Sequence, residues 1–256
     1  MIPRRSCLFG AAIGLMVYGQ KPERLEFEVA SIKLAKPGGR GGGIRPLAGG
    51  QTYVAENVPV RLIFRLMSRL TPQQVTGGPS WLDDERYDIT AKAARPSNID
   101  ELHEMFLNLL ADQFKLQFHK EKKELPVYAL SVDKSGVKMK LNETEQDFKI
   151  PITPTGFGNI TGVRVDMKYM CFFLSQTPGM DRPVIDKTGL DKVYDFALHW
   201  TPDLPGISKE NLPPGADLDG PSIFDALKQQ LGLKLDAQKG PVEVYVIDHA
   251  ERPATN

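Results

Sequence analysis

Residues 86–93 read RYDITAKA, and residues 193–200 read VYDFALHW. A Tyr-Asp pair opens each phrase, and apolar and polar residues then alternate. Tyr87 and Tyr194 stand 107 positions apart. An echo at a fixed offset constrains a fold more than any composition does, because it asks for one supersecondary unit used twice. The flanking segments keep the same order. After 49–50 come a strand (QTYVAE), a helix (VPVRLIFRLMSRL), a short strand with a Gly-Gly-Pro turn, the ERYDITAKA strand and a second helix (IDELHEMFLNLLADQF). KLQFHKE and LPVYALSVDK then read as two closing strands joined by a charged turn at Lys122 and Lys123. From 158 the order returns as GNITGVRV, MKYMCFFLSQT, RPVIDKTGL, KVYDFALHWTP, PSIFDALKQQLG, LKLDAQKG and PVEVYVIDHAE.

The periodicities support these assignments. Val60, Ile63, Phe64 and Met67 fall at i, i+3, i+4 and i+7, one face of a helix. Leu102, Met105, Phe106, Leu109 and Leu110 make a second stripe, and Met167, Met170, Cys171 and Leu174 a third. Asn57, Asn98 or Asp100, and Asp166 are the expected N-caps, and Gly232 is an expected C-cap. Each Tyr is expected in a core with its hydroxyl satisfied, and each Asp on nearby backbone. The prediction is an α+β fold of two tandem similar units, 49–145 and 146–256, with small sheets packed on helices. The second unit carries an inserted loop, 202–221, rich in Pro, Gly and Asp. Residues 20–48 precede the units and hold a strand, FEVASIKLA, with a bulge expected near Ala30. A Gly-rich loop follows and reads as a mobile hairpin connection.

At the N-terminus, Arg4 and Arg5 stand before an uncharged run to Gly19, the layout of a secretory signal peptide over 1–19. The run is shorter than the roughly 20 apolar residues a membrane span needs. An uncleaved membrane anchor is the alternative, and cleavage would leave no membrane span. The expected compartment is secreted or periplasmic. Formal net charge is zero, so the basic face of a nucleic-acid binder is not expected. Cys171 would be the sole cysteine of the mature chain and reads as a buried small hydrophobe.

Motifs for chemistry fail on spacing. His103-Glu104 opens like HExxH, but position 107 is Leu. His119, His199 and His249 stand alone, and no Gly-x-Ser-x-Gly elbow occurs. The acidic run Asp83–Glu85 reads as a solvated turn. No catalytic residue, cofactor or metal is predicted. The expected contact surface is built from Trp81 and Trp200, which flank the two echoed strands, with Arg40 in the Gly-rich loop and Asp217 and Asp219 in the inserted loop. Against this stands the reading that each tryptophan caps a core.

The phrases FEVASIK, VTGGPSWLDDERYDITAKA, LLADQFKLQFHKEKKELPVYALSVDK, RPVIDKTGLDKVYDF and QQLGLKLDAQKGPVEVYVIDHAERP resemble a large family of secreted soil-bacterial proteins, abundant in acidobacteria, that carry a domain of unknown function. The same domain resembles one fused to sensor metallopeptidases of the BlaR/MecR type, which implies a sensory or interaction role. A looser similarity of cadence links SIFDALKQQLGLKLDAQKGPVEVYVI to the short N-terminal domains of secretins and TonB-dependent receptors, folds that bind protein partners. The expected function is therefore a non-enzymatic binding or sensory module of the cell envelope. It would recognise a protein or a cell-wall component, with strand addition at an exposed edge as a mode. The alternative is an envelope polysaccharide or peptide hydrolase with its site between the two units.

Overall fold

The structure, a computed structural model, describes residues 24–36, 38, 42–144, 150–203 and 219–254. Residues 1–19, read above as a signal peptide, Arg40, Asp217 and most of the inserted loop lie outside these residues. In chain order the elements are β1 (Val29–Leu34), β2 (Gly43–Pro46), β3 (Thr52–Pro59), α1 (Val60–Met67), β4 (Val75–Gly77), α2 (Trp81–Asp84), β5 (Arg86–Lys92), α3 (Ile99–Gln113) and β6 (Gln117–Val132). There follow β7 (Lys140–Leu141), β8 (Ile152–Gly156), β9 (Asn159–Val165), α4 (Met167–Gln176), β10 (Val184–Asp186), β11 (Tyr194–His199), α5 (Ile223–Ala226, continued by a π turn over Leu227–Leu231) and β12 (Leu233–His249). This is an α+β fold of small sheets and few helices.

The strands form three four-stranded sheets among the described residues: β1-β5-β3-β2, β10-β6-β12-β4 and β7-β11-β9-β8. The middle sheet is an antiparallel ribbon of β6 and β12, in one register from Phe118 against Ile247 to Val132 against Leu233, with a shift before Gln117 meets His249. β4 pairs parallel with β12, and β10 pairs parallel with β6. Each half thus lends a strand to the other half's ribbon strand, and the middle sheet crosses the expected boundary at 145/146. Two cores flank it. The first gathers Phe64, Phe106, Phe114 and Leu82 and takes in Ile247 from the end of β12. The second gathers Met167, Met170, Leu174 and Phe196 and takes in Leu130 from β6.

Two hairpins were expected where two long strands stand. KEKKE has no residue suited to a tight turn, so its charges line the ribbon instead: Lys120 meets Glu243 at 3.4 Å and Lys123 meets Glu121 at 2.8 Å. Pro126 and Pro241 do not break it either. Asp133 N–H donates to Gly232 O at 2.8 Å, and the ladder alternates from there. By that alternation both prolines turn their nitrogens away from the partner strand, where no ladder bond is lost.

The echoed aspartates perform the same local task. Asn57 and Arg164 both have a left-handed backbone, φ 53° and 54°, at bulges in β3 and in the β9–β11 pairing. Asn57 N–H donates to Asp88 Oδ1 at 2.8 Å, and Arg164 N–H to Asp195 Oδ1 at 2.9 Å. Asn57 is therefore a bulge residue and not a helix cap. Pro59 precedes α1 and gives no side-chain cap bond. Tyr87 is buried and its hydroxyl donates to Glu85 at 2.9 Å; Tyr194 is buried in the other core. The expected caps at Asn98, with its Glu101 capping box, at Asp166 and at Gly232 (φ 68°) are present.

The segment before β3 departs from expectation. From Val29 to Leu34 β1 pairs with β5 without a register shift, but Glu28 N–H also donates to Lys92 O at 2.8 Å, so at the strand's start two residues stand opposite one. Phe27 packs on the first core before the strand begins, while Val29 is exposed, so no slip of phase inside the strand is needed. β1 and β2 occupy opposite edges of the first sheet, so these two strands do not form a hairpin. Among the described residues no helix is long and apolar enough to cross a membrane.

Candidate binding groove at an open sheet edge

Ala35 N–H donates to Arg86 O at 2.8 Å. The β1–β5 register then assigns the backbone groups of Ser31 and Lys33 to β5. The N–H and C=O groups of Ala30, Ile32 and Leu34 point the other way. Among the described residues no strand pairs with that outer side. Natural sheets blunt such rows with proline, bulges or short strands. β1 has six residues and within them neither of the other two devices; Lys33 is its sole charge.

The same three residues stand opposite Tyr87, Ile89 and Ala91, whose side chains are buried. Ala30, Ile32 and Leu34 therefore face the helix layer, yet cover over them is incomplete. Leu34 is 63% exposed. Two hollows open beneath the edge. One, of about 320 Å³, lies between Ala30 and Ile32 on β1 and Met105, Asn108 and Leu109 on α3. The other, of about 800 Å³, lies past the far end of β1, with Leu34, Ile44, Pro59, Leu62 and Leu66 giving it an apolar floor. An edge strand backed by hollows at alternate positions is the layout by which a sheet accepts a further strand and reads its side chains.

The smaller hollow is acidic. Glu26, Glu28 and Asp112 line it, and Arg24 bridges Glu26 at 3.1 Å and Asp112 at 3.0 Å. The larger one is framed by Lys36, Asp84, Glu85 and Arg86. Arg252 binds Glu85 with contacts of 2.6 and 2.9 Å. That ion pair, with the Tyr87 hydroxyl, holds the Glu85 carboxyl below its ordinary range. Asp83 is gripped by Arg61 at 2.8 and 2.9 Å. The acidic run is thus anchored on a short helix and is not a free turn.

The candidates read from sequence do not assemble here. Trp81 lies in the first core, stacked at 6.4 Å on Phe114 with the Arg252 guanidinium over its ring. Trp200 lies in the second core. Both are buried, as core-capping side chains would be, and they do not share a surface. Asp219 is exposed, and Arg40 and Asp217 fall outside the described residues. Cys171 is buried, and burial pushes its thiol well above the usual range, with Asp186 and Asp166 adding to the effect. No group of three or more metal-ligating side chains occurs among the described residues.

A third cavity, of about 510 Å³, lies where the halves meet. Arg69, Asp100 and His103 of the first half face Asp166 and Lys168 of the second, with Tyr245 of β12 alongside. Arg69 binds Asp100 and stacks 5.0 Å over the Tyr169 ring. His103 is buried, and its Nε2 lies 3.1 Å from the Tyr53 hydroxyl. Burial, with the Arg69 charge, lowers the His103 pKa to about 3, so the ring is neutral. The failed HExxH spacing at His103 gave no hint of this, because the partners come from β3 and from Arg69 just after α1.

These features define an α+β protein whose first sheet ends in an open, groove-backed strand. The chain belongs to the DUF3738 family, described as a protein of unknown function, which matches residues 61–250. The match begins inside α1, so β1, β2 and β3 lie ahead of it. No curated protein and no solved structure matches the chain.

Proposed function

We propose that this protein is a non-enzymatic binding module of the cell envelope, secreted or periplasmic, that takes an extended segment of a partner protein as a further strand beside β1. The outward row of backbone groups at Ala30, Ile32 and Leu34 carries this reading. Each added backbone hydrogen bond contributes about 1 kcal/mol net, and the row offers three donors and three acceptors. The hollows beneath then supply side-chain selectivity. We also read the two halves as copies of one unit. The equal bulges, the matched Asp–amide bonds and the exchanged strands β4 and β10 support that duplication.

The test is Ala30→Pro. It removes an outward N–H and leaves the β1–β5 bonds in place, whereas Ser31→Pro removes a bond to β5 and serves as the structural control. The full mature chain is immobilised and exposed to solubilised envelope, and a photo-crosslinking residue at Val29 reports what lies on the edge. The expected result is a protein crosslinked through Val29 and lost with Ala30→Pro, whose melting curve matches the wild type. Equal retention by the Ala30→Pro variant would remove the edge as the site.

The hydrolase reading needs free carboxylates converging in a cleft. The junction cavity collects three, but Asp100 is tied to Arg69 and Asp166 accepts Tyr169 N–H at 2.6 Å as the cap of α4. Glu104 alone is uncommitted, which weighs against that reading.

A further inference from the structure

The junction cavity does not depend on the β1 edge, and its walls carry a different message. Three cations, Arg69, Lys120 and Lys168, stand against three anions, Asp100, Glu104 and Asp166. Four of the six already have partners. Arg69 holds Asp100, Lys120 lies 4.7 Å over the Tyr245 ring and 3.4 Å from Glu243, and Asp166 caps α4. Among the described residues Glu104 and Lys168 make no ion pair or side-chain hydrogen bond, and both are exposed on the rim. Deeper in, two lining residues carry buried polar atoms without a partner, Ser68 Oγ and His103 Nδ1. Buried polar atoms are rarely left so. The remaining wall is apolar and aromatic: Phe118, 39% exposed, stacks at 5.3 Å on Tyr245. The volume of about 510 Å³ suits a small molecule.

We infer that this cavity binds a small zwitterion with an apolar side chain, an amino acid or the free end of a short peptide, whose ammonium meets Glu104 and whose carboxylate meets Lys168. A simple anion or cation would leave one free charge unanswered. A neutral sugar would find Tyr245 already covered by Lys120 and Phe118. The ligand's side chain would lie against Phe118.

The probe is the dipeptide alanyl-phenylalanine, titrated into the full mature protein, with the His103 imidazole nitrogens followed by NMR. Its N-acetyl and C-amide forms each lack one charge. The zwitterion is expected to give saturable shifts, and each blocked form to bind about two- to fivefold more weakly, the worth of one exposed ion pair. Glu104→Gln should erase the difference between the free and N-acetyl forms, and Lys168→Met the difference between the acid and the amide. Both residues are exposed, so neither change threatens the fold. Absence of a saturable shift, or equal binding of the blocked forms, would overturn the inference. A lost β1 interaction would leave it standing, because no residue is shared.

Discussion

The echoed aspartates differ in what depends on them, and that difference can be measured. Asp195 accepts from Arg164 N–H at 2.9 Å and from the Asn142 amide at 2.8 and 2.9 Å, and it is half-buried. Asp88 accepts Asn57 N–H at 2.8 Å and is exposed. Asp195→Ala strands two donors beside a left-handed residue. At roughly 1.5–3 kcal/mol for each bond to a charged group, reduced for partial exposure, the loss should be about 2–4 kcal/mol. Asp88→Ala breaks one bond that water can replace and should cost about 1 kcal/mol. Urea unfolding followed by fluorescence of the buried tryptophans reads both, with the slope held constant to exclude changes in the unfolded state. The pH arm carries a sign. Burial pushes the Asp195 carboxyl up, but the Arg164 amide, the Asn142 side chain and the nearby Lys140 and Arg164 charges outweigh it, leaving a net lowering. A carboxyl lowered on folding contributes stability above its unfolded pKa and loses it as pH falls through the folded value. The gap between wild type and Asp195→Ala should therefore narrow in acid. A cost for Asp88→Ala equal to that for Asp195→Ala, or a gap that widens in acid, would refute the assignment of these bonds.

Gly232 ends the second-half helix at φ 68°, and a Cβ there would fall on the Gly136 carbonyl oxygen. Gly232→Ala should lose at least about 2 kcal/mol by the same urea assay, more than the ordinary cost of a left-handed alanine. His103 is neutral when folded, its pKa lowered from 6.5 to about 3, so the unfolded chain binds the extra proton between those values. Its share of stability should fall as pH drops from 6.5 toward 3, and His103→Gln should flatten that part of the profile.

The local chemistry was legible because it is written in short windows. The stripes of α1, α3 and α4 follow from helical spacing, and Asn98, Asp166 and Gly232 sit where caps are required. The Tyr-Asp echo announced both the burial of Tyr87 and Tyr194 and the backbone-binding aspartates. Neighbours were not legible. Period 2 tells which face of a strand is apolar, and it is silent on which strand lies beside it. So β6 was split at its charged middle and β12 at Gly240-Pro241, where long-range pairing and not local sequence keeps the chain extended. β7 and β8 gave no signal strong enough to place them. The tryptophans drew notice for their position beside the echoed strands, yet their burial depends on Phe114 and on elements far away in sequence. The same blindness hid the candidate edge. FEVASIKLA reads as a strand from its alternation, but only the pairing order puts it at a margin.

Why the β1 edge should be open when part of the β11 edge is covered follows from what lies beside the two strands. β11 meets β7 over only two residues, Tyr194 with Leu141 and Asp195 with Lys140. Beyond them a side chain stands in for the missing strand. Gln230, in the π turn, accepts His199 N–H at 3.0 Å and donates to His199 O at 2.7 Å. At His199 the edge of β11 is thus covered by an amide that copies a backbone pair. In the first sheet β5 receives a full strand, β1, from 29 to 34, and the open row moves outward by one strand. Among the described residues no side chain plays the part of Gln230 at Ala30, Ile32 or Leu34. Two halves with matching bulges and exchanged strands therefore end differently: one in a clamp, the other in a row of six hydrogen-bonding groups above a groove. An edge that merely needed protection would have been served by the device the other half already has. Its absence from β1 is what the strand-addition reading explains.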